Sequence, residues 1–554
     1  MEAFFVFKQP NKILYFCAMQ NEKRYRVIVV GSGPGAVMAA QTLVEAGHDV
    51  AMLDVGNQSN MAIPPENLSF SEARTTDAQQ HHYFLGKEFE TVPSPEITTG
   101  AQLTPSRRHI IKDVNRFCPI QSDSFFPMES LAKGGLGVGW GLGAYIYNDD
   151  ELESAGLPID SMRTSYAQIA DRIGISCGKD DIQPFVAQGI QNLLPPLTPD
   201  NSIQSAMKKY EKRKDWFKKN GIVAGMPSMA LLSVDFDKRQ ATKYSDMDFY
   251  ADHGFAAWRP QMVVDRLSEK PNFTYFPKNY VLDFQETNNG IKVRALHTER
   301  LMETVFYAEK LVLAAGALGT ARIALRSLHI DSLPILCNPY SYMPAISPAR
   351  LGKPLSEKKT SMAQAMLLSI PKNPLEIVSV ALYTYRSLLL TRLVQQSPLN
   401  IRDNLRLFNY LQSAFVIAGV HFPDTGSGYR KLTLIPDSNS PTGDALKVDF
   451  QLDDSMIKQI KNGEYMVKRA LKKMGIRVIK KLNPGLGSSI HYGGTLPVST
   501  NETLGTSGIN GRIHGTKNCY VADGSGFAFL PAKGITLSIM ANAHRVALNL
   551  FENE

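Results

Sequence analysis

YRVIVVGSGPGAVMAAQTLVEAGHDVAMLD, from Tyr25 to Asp54, reads as a strand, a tight glycine turn, a helix and a second strand that ends on an acid. Arg26 to Val30 is β-branched and apolar enough to lie buried between helices. Gly31 and Gly33 let the backbone turn sharply and come close to a pyrophosphate, whose charge suits the free N–H groups at a helix N-terminus. Ala36 takes the third small position, where helix and strand must pack closely. Gly47 then stops the helix. Asp54 falls 23 positions after Gly31, the distance at which an acid reaches a ribose 2′-hydroxyl. A bare G-x-G-x-x-A says little, but set between strand and helix with the acid in place it specifies dinucleotide binding.

Working outward, 554 residues exceed the usual size of one core, so two domains or a large composite one are expected. A composition 44% hydrophobic and 20% charged is that of a soluble globular chain. The net charge of +8 suits anionic ligands or surfaces without specifying one. Its densest patch (Lys208, Lys209, Lys212, Arg213, Lys214, Lys218, Lys219) reads as a solvated helix face, with an anionic head group or phosphorylated substrate as the alternative. Cys17, Cys118, Cys177, Cys337 and Cys519 lie far apart with no C-x-x-C spacing, which argues against structural zinc and a disulfide framework and favours a cytoplasmic setting. No metal site is expected. Residues 1–23 read as an extension before the first strand, with Met19 an alternative start. No run approaches the ~18 apolar residues that span a bilayer. From Asn373-Pro374 to about Gln395 the chain reads as a capped, almost wholly apolar helix, buried or else resting weakly on a membrane surface.

Four further segments narrow the ligand. LAKGGLGVGWGLGA, Leu131 to Ala144, has glycine dense enough to lie flat against a ligand, with Leu136, Val138 and Trp140 that solvent would waste. EKLVLAAGALGTAR, Glu309 to Arg322, is a buried strand followed by a glycine turn into a helix. HYGGT follows at His491, and NCYVADGSGFAFLPAKGITLSIMANAHR runs from Asn518 to Arg545. In this order the segments resemble the glucose–methanol–choline oxidoreductase family, which binds FAD; the region from about 330 to 480 resembles it poorly.

The resemblance implies that Gly31, Gly33, Ala36 and Asp54 hold the ADP half and that Val281 borders the adenine. Gly135, Leu136 and Gly137 would run beside pyrophosphate and flavin, with Ala315 and Gly316 in the turn after their strand. Asp523 and Gly524 would touch the ribityl–pyrophosphate region, and Ile535 and Thr536 would open a last helix aimed at the flavin N1–C2=O edge. His491 matches the histidine that takes the substrate hydroxyl proton while hydride leaves for flavin N5. An imidazole suits that work, being neutral at pH 7 with a pKa near it. His514 reads as a turn residue. The family's second histidine or asparagine falls here on Gly534, which has no side chain. Lys533 is one candidate substitute, though a solvated loop lysine fits as well, and Tyr492 is another, facing the other way as the next strand residue.

The expected fold is α/β: a Rossmann-type FAD domain from residues 24–90, 240–330 and 495–554, with a substrate domain from 91–239 and 331–494. The latter should carry a mixed or antiparallel sheet flanked by helices. KLTLIPD and ALKVDFQLD read as two of its strands. The expected activity is oxidation of a CH–OH group on a sugar, polyol or lipid-like alcohol, with the electron acceptor and oligomeric state open. Flavin-dependent isomerase, cyclase, lyase or desaturase chemistry is the alternative, followed by a flavin-bearing assembly or membrane-surface protein. No G-x-S-x-G, H-E-x-x-H or P-loop lysine motif is present, nor a nucleic-acid-reading fold.

Overall fold

The computed structural model describes residues 23–89, 103–356, 358–384 and 397–551. The opening motif forms as its pattern dictates. Strand Arg24–Val30 is followed by helix Pro34–Glu45, with Gly33 at the N-cap and proline in the first turn, and by strand Val50–Leu53. These two strands pair in parallel, Val27 opposite Val50.

They sit within a seven-stranded sheet. Phe273–Phe276, Val50–Leu53, Arg24–Val30 and Glu303–Leu313 lie side by side, all parallel. The other edge of Glu303–Leu313 is shared. Its last residues pair in parallel with Cys519–Val521, while its first half pairs antiparallel with Gly290–His297, which in turn pairs with Asn279–Thr287. Helices Pro34–Glu45 and Thr536–Leu548 pack on each other across one face, and Ala317–Leu328 contributes to the apolar cluster on the other. Parallel strands buried on both faces explain the unbroken apolar run VIVV.

A second, antiparallel sheet has six strands in the order Arg477–Val478, Tyr340–Ile346, Phe415–His421, Ser379–Tyr383, Ala365–Ser369 and Ile222–Gly225. One of its faces packs Met343, Ala345, Val380, Leu382, Val416 and Val420 with residues of helices Asn201–Glu211 and Asp454–Lys473. KLTLIPD and ALKVDFQLD form the antiparallel pair Arg430–Pro436 and Asp444–Phe450. The basic patch lies on Asn201–Glu211 and Lys214–Lys219, which bury Ile203, Tyr210 and Phe217 and turn most of their lysines to solvent.

The helix expected from Pro374 to Gln395 does not form over the described part. Asn373 caps a single turn, Pro374–Glu376, and the chain then enters strand Ser379–Tyr383. The apolar run has a different cause: this strand is paired on both edges, with Val380 and Leu382 under the sheet and Ala381 and Tyr383 on its other face. A doubly buried strand shows no period, so its sequence reads like that of a buried helix. Residues 385–396 lie outside the described part. Among the described residues, no helix is long and apolar enough to cross a membrane. Cys118, Cys177, Cys337 and Cys519 are buried free thiols.

Candidate active site

A cavity of about 760 Å³ opens at the C-terminal ends of the parallel strands and continues beneath the antiparallel sheet. That is the upper part of the range for ligand pockets, about 300–1,000 Å³. One end is lined by Gly31, Gly33, Asp54, Val281, Ala315 and Gly316. Further along come Gly135, Leu136, Gly137, Asp523, Gly524, Ile535 and Thr536, and then His491 and Gly534. The cofactor and catalytic positions expected from the sequence thus line this one cavity, apart from Ala36 and Lys533, which lie outside its lining.

The cradle is built from backbone. Gly31 has φ +96°, and a Cβ there would meet the Ala314 carbonyl oxygen at 2.6 Å. A Cβ on Gly35 would lie 2.4 Å from the Ala522 carbonyl oxygen. Ala36 is fully buried in the helix, its role being packing. Gly33 differs: a Cβ there would meet nothing within 4 Å, so it faces open cavity. The glycine loop crosses directly over this turn, with Gly33 Cα 3.3 Å from where a Gly135 Cβ would stand. Such a surface admits a phosphate chain and fits a dinucleotide. Gly33→Val is therefore expected to fold normally but to bind flavin about tenfold to a hundredfold more weakly, as overpacking costs about 1–3 kcal/mol. Flavin content after purification checks this; full occupancy would contradict it.

Asp54 ends the second strand as the motif requires, but its partners come from afar. Its Oδ2 accepts hydrogen bonds from Ser32 Oγ at 2.5 Å and Tyr275 OH at 2.9 Å, and Ser32 Oγ accepts from Gly134 N at 2.8 Å. One acid thereby ties the turn to the glycine loop. Burial raises its pKa to about 6, with the two hydroxyl donors opposing. Asp523 accepts from Thr320 Oγ1 at 2.6 Å and from Ser525 N at 2.9 Å, which fixes the carboxylate between two of the motif segments. The pair Arg322–Glu129, two bonds at 2.6 and 2.9 Å, anchors the cavity-lining segment Met128–Ala132. Sequence reasoning did not single out Ser32, Tyr275 or Glu129. Only Ser32 carried a signal, as the residue between the two turn glycines.

At the far end His491 looks into the cavity from just before the short strand Tyr492–Gly493. Its Nδ1 is sealed from solvent without a protein partner. Enclosure by the cavity walls disfavours imidazolium and lowers the pKa to about 4. A neutral ring is the form that can accept a proton, so with His491 as base flavin reduction should hold a constant rate from pH 8 down to about pH 5 and decline only toward pH 4. A pH–rate profile checks this; a decline centred near 6.5 would contradict it. His491 also stacks on His421, ring centroids 5.0 Å apart and planes at 21°. No sequence motif marked His421.

The candidates for the second catalytic position are placed differently from expectation. Lys533 does not face the cavity. Its Nζ lies 2.5 Å from Glu151 Oε2 and donates to the Phe185 carbonyl at 2.9 Å, and both charged side chains are fully buried. It is neither a solvated loop lysine nor an alkoxide binder, because its ammonium is already committed to a carboxylate. At Gly534 a Cβ would stand 3.3 Å from both the Gly143 carbonyl and the ring of Tyr145, so a side chain there would be tightly packed against them. Tyr492 also lines the cavity, but its hydroxyl is committed to the backbone: it donates to the Gly487 carbonyl at 2.5 Å and accepts from Met128 N at 2.9 Å. His514 is buried with its Nδ1 2.7 Å from Thr506 Oγ1, within a turn.

The chain thus joins a parallel sheet with a glycine cradle to an antiparallel sheet that roofs the far half of the cavity. Among solved structures, pyridoxine 4-oxidase from Mesorbium loti matches this chain with a TM-score of 0.55 at 12% identity, over 96% of this chain and 100% of that one. At such identity the likeness is one of fold. No family model and no curated protein matches the chain.

Proposed function

We propose that this protein is an FAD-dependent oxidoreductase, a divergent glucose–methanol–choline member, that oxidises a CH–OH group with His491 as the base. The observation that carries the reading is the continuity of one cavity from the glycine cradle to an uncharged imidazole whose Nδ1 has no protein partner. Gly31, Gly33 and Asp54 would hold the ADP half, Asp523 the middle, and Ile535 and Thr536 the flavin edge at the positive end of helix Thr536–Leu548. FAD bound there would supply the hydride acceptor. The chain's own residues do the rest. His491 takes the hydroxyl proton; Trp140, Tyr145, Phe415 and Ile417 exclude water.

The substrate half also bears on the choice of alcohol. Tyr342, Met362, Ala363, Ala381, Phe415 and Ile417 line it, a set suited to an apolar ring or chain more than to a polyol. Residues 24–90, 240–330 and 495–554 would then form the FAD part, and residues 91–239 and 331–494 the substrate part. Anaerobic mixing with benzyl alcohol, 1-octanol, cholesterol, glucose and glycerol tests the reading. Bleaching of the flavin by the apolar alcohols ahead of glucose and glycerol is expected. A flavin untouched by all five would move the assignment to flavin chemistry other than alcohol oxidation.

A further inference from the structure

We propose that His421 is a second hydroxyl-binding residue of this site, gripping the same substrate oxygen that His491 deprotonates; the inference rests on the alcohol-binding reading of the cavity.

The register of the antiparallel sheet puts His421 there. Strand Phe415–His421 lies between Tyr340–Ile346 and Ser379–Tyr383, so cross-strand neighbours form rows. Tyr340, His421 and Ser379 make one row, Tyr342, Gly419 and Ala381 the next, and Pro344, Ile417 and Tyr383 a third. Alternation turns all three rows to one face of the sheet, and all their residues except Gly419 line the cavity. In these rows His421 is the one imidazole, which when neutral carries one donor and one acceptor nitrogen. Gly419 makes the arrangement possible, since a Cβ there would meet the Tyr340 hydroxyl at 2.7 Å.

Stacking then fixes how the two imidazoles share the work. His421 lies between His491, at 5.0 Å, and Tyr340, at 4.4 Å, with its ring inclined 21° and 41° to them. Two rings this close do not both carry charge, and burial together with His491 holds His421 well below the ordinary histidine range. Two neutral imidazoles offer one acceptor nitrogen and one N–H each. A substrate hydroxyl complements them, donating to His491 while its lone pair accepts from the His421 N–H. As the O–H bond breaks, the proton passes to His491; His421 neither gains nor loses one. Gly534, which lines the cavity without a side chain, contributes no such group.

The alternative is that His421 only packs, and ring-preserving and donor-preserving variants separate the two. In oxidised holoprotein at neutral pH, 4-methylphenol, which keeps its proton there, is titrated against the flavin difference spectrum, with flavin content as the check on folding. H421F and H491F should each weaken its binding about fivefold to tenfold, the worth of one hydrogen bond, and H421N should recover most of the loss. Wild-type affinity in H421F overturns the proposal, as does failure of the wild-type protein to bind the phenol. Alcohol bleaching is read on the same samples. Phenol binding that needs His421, without bleaching by any alcohol, removes the oxidation and supports the hydroxyl grip. Bleaching that H421F leaves at the wild-type rate removes His421 and keeps the oxidation.

Discussion

Replacing His491 by alanine is expected to slow anaerobic flavin reduction by about 10²–10⁴-fold, the usual worth of a positioned general base, and to leave the flavin bound. The separation follows from where the side chain lies. Asp54, the glycine turns and the carboxylate of Asp523 line the nearer parts of the cavity, while His491 belongs to the end roofed by the antiparallel sheet. Its Nδ1 has no protein partner, so truncation frees no buried group elsewhere. The unaltered visible spectrum of the bound flavin, together with the lost bleaching rate, is the expected pair of readings. A variant that bleaches at the wild-type rate would show that another group takes the proton.

Lys533→Met should act on folding instead. The Lys533–Glu151 pair is wholly buried, so removing the ammonium leaves a carboxylate uncompensated, at a cost of about 3–5 kcal/mol. Glu151 is also held by the Asn148 capping box, which accepts the chain turn into helix Asp149–Ser154 and prevents the acid from swinging to water. Burial disfavours the Lys533 cation and Glu151 favours it, so neither charge is comfortable alone. Denaturant midpoints check the cost, and the double replacement K533M/E151L should regain most of it. A K533M protein of normal stability with lost turnover would return Lys533 to the chemistry.

What could be read from the sequence was what local spacing controls. Gly31, Gly33 and Asp54 answer to the dimensions of a strand, a turn and a helix, all within one stretch of chain. Tyr275 completes the Asp54 site from 221 residues away, a pairing made by sheet order that leaves no local trace. His421 was hidden for a related reason. In FVIAGVH it ends an apolar strand with no motif around it, and only the register with Tyr340 and Ser379 brings it to His491. Lys533 misled in the opposite sense. Adjacent to Gly534 in sequence, it sits in a bend and turns away from the cavity to Glu151. The stretch after Pro374 misled because burial on both faces erases the periodicity that tells strand from helix.

The most direct measurement is anaerobic flavin bleaching by benzyl alcohol, protiated or deuterated at the carbinol carbon, with the carbonyl product counted. Bleaching slower for the deuterated alcohol, with one carbonyl formed per flavin reduced, is the expected result. A flavin that remains oxidised with every alcohol tried, or that bleaches without a carbonyl product, would contradict CH–OH oxidation in this cavity.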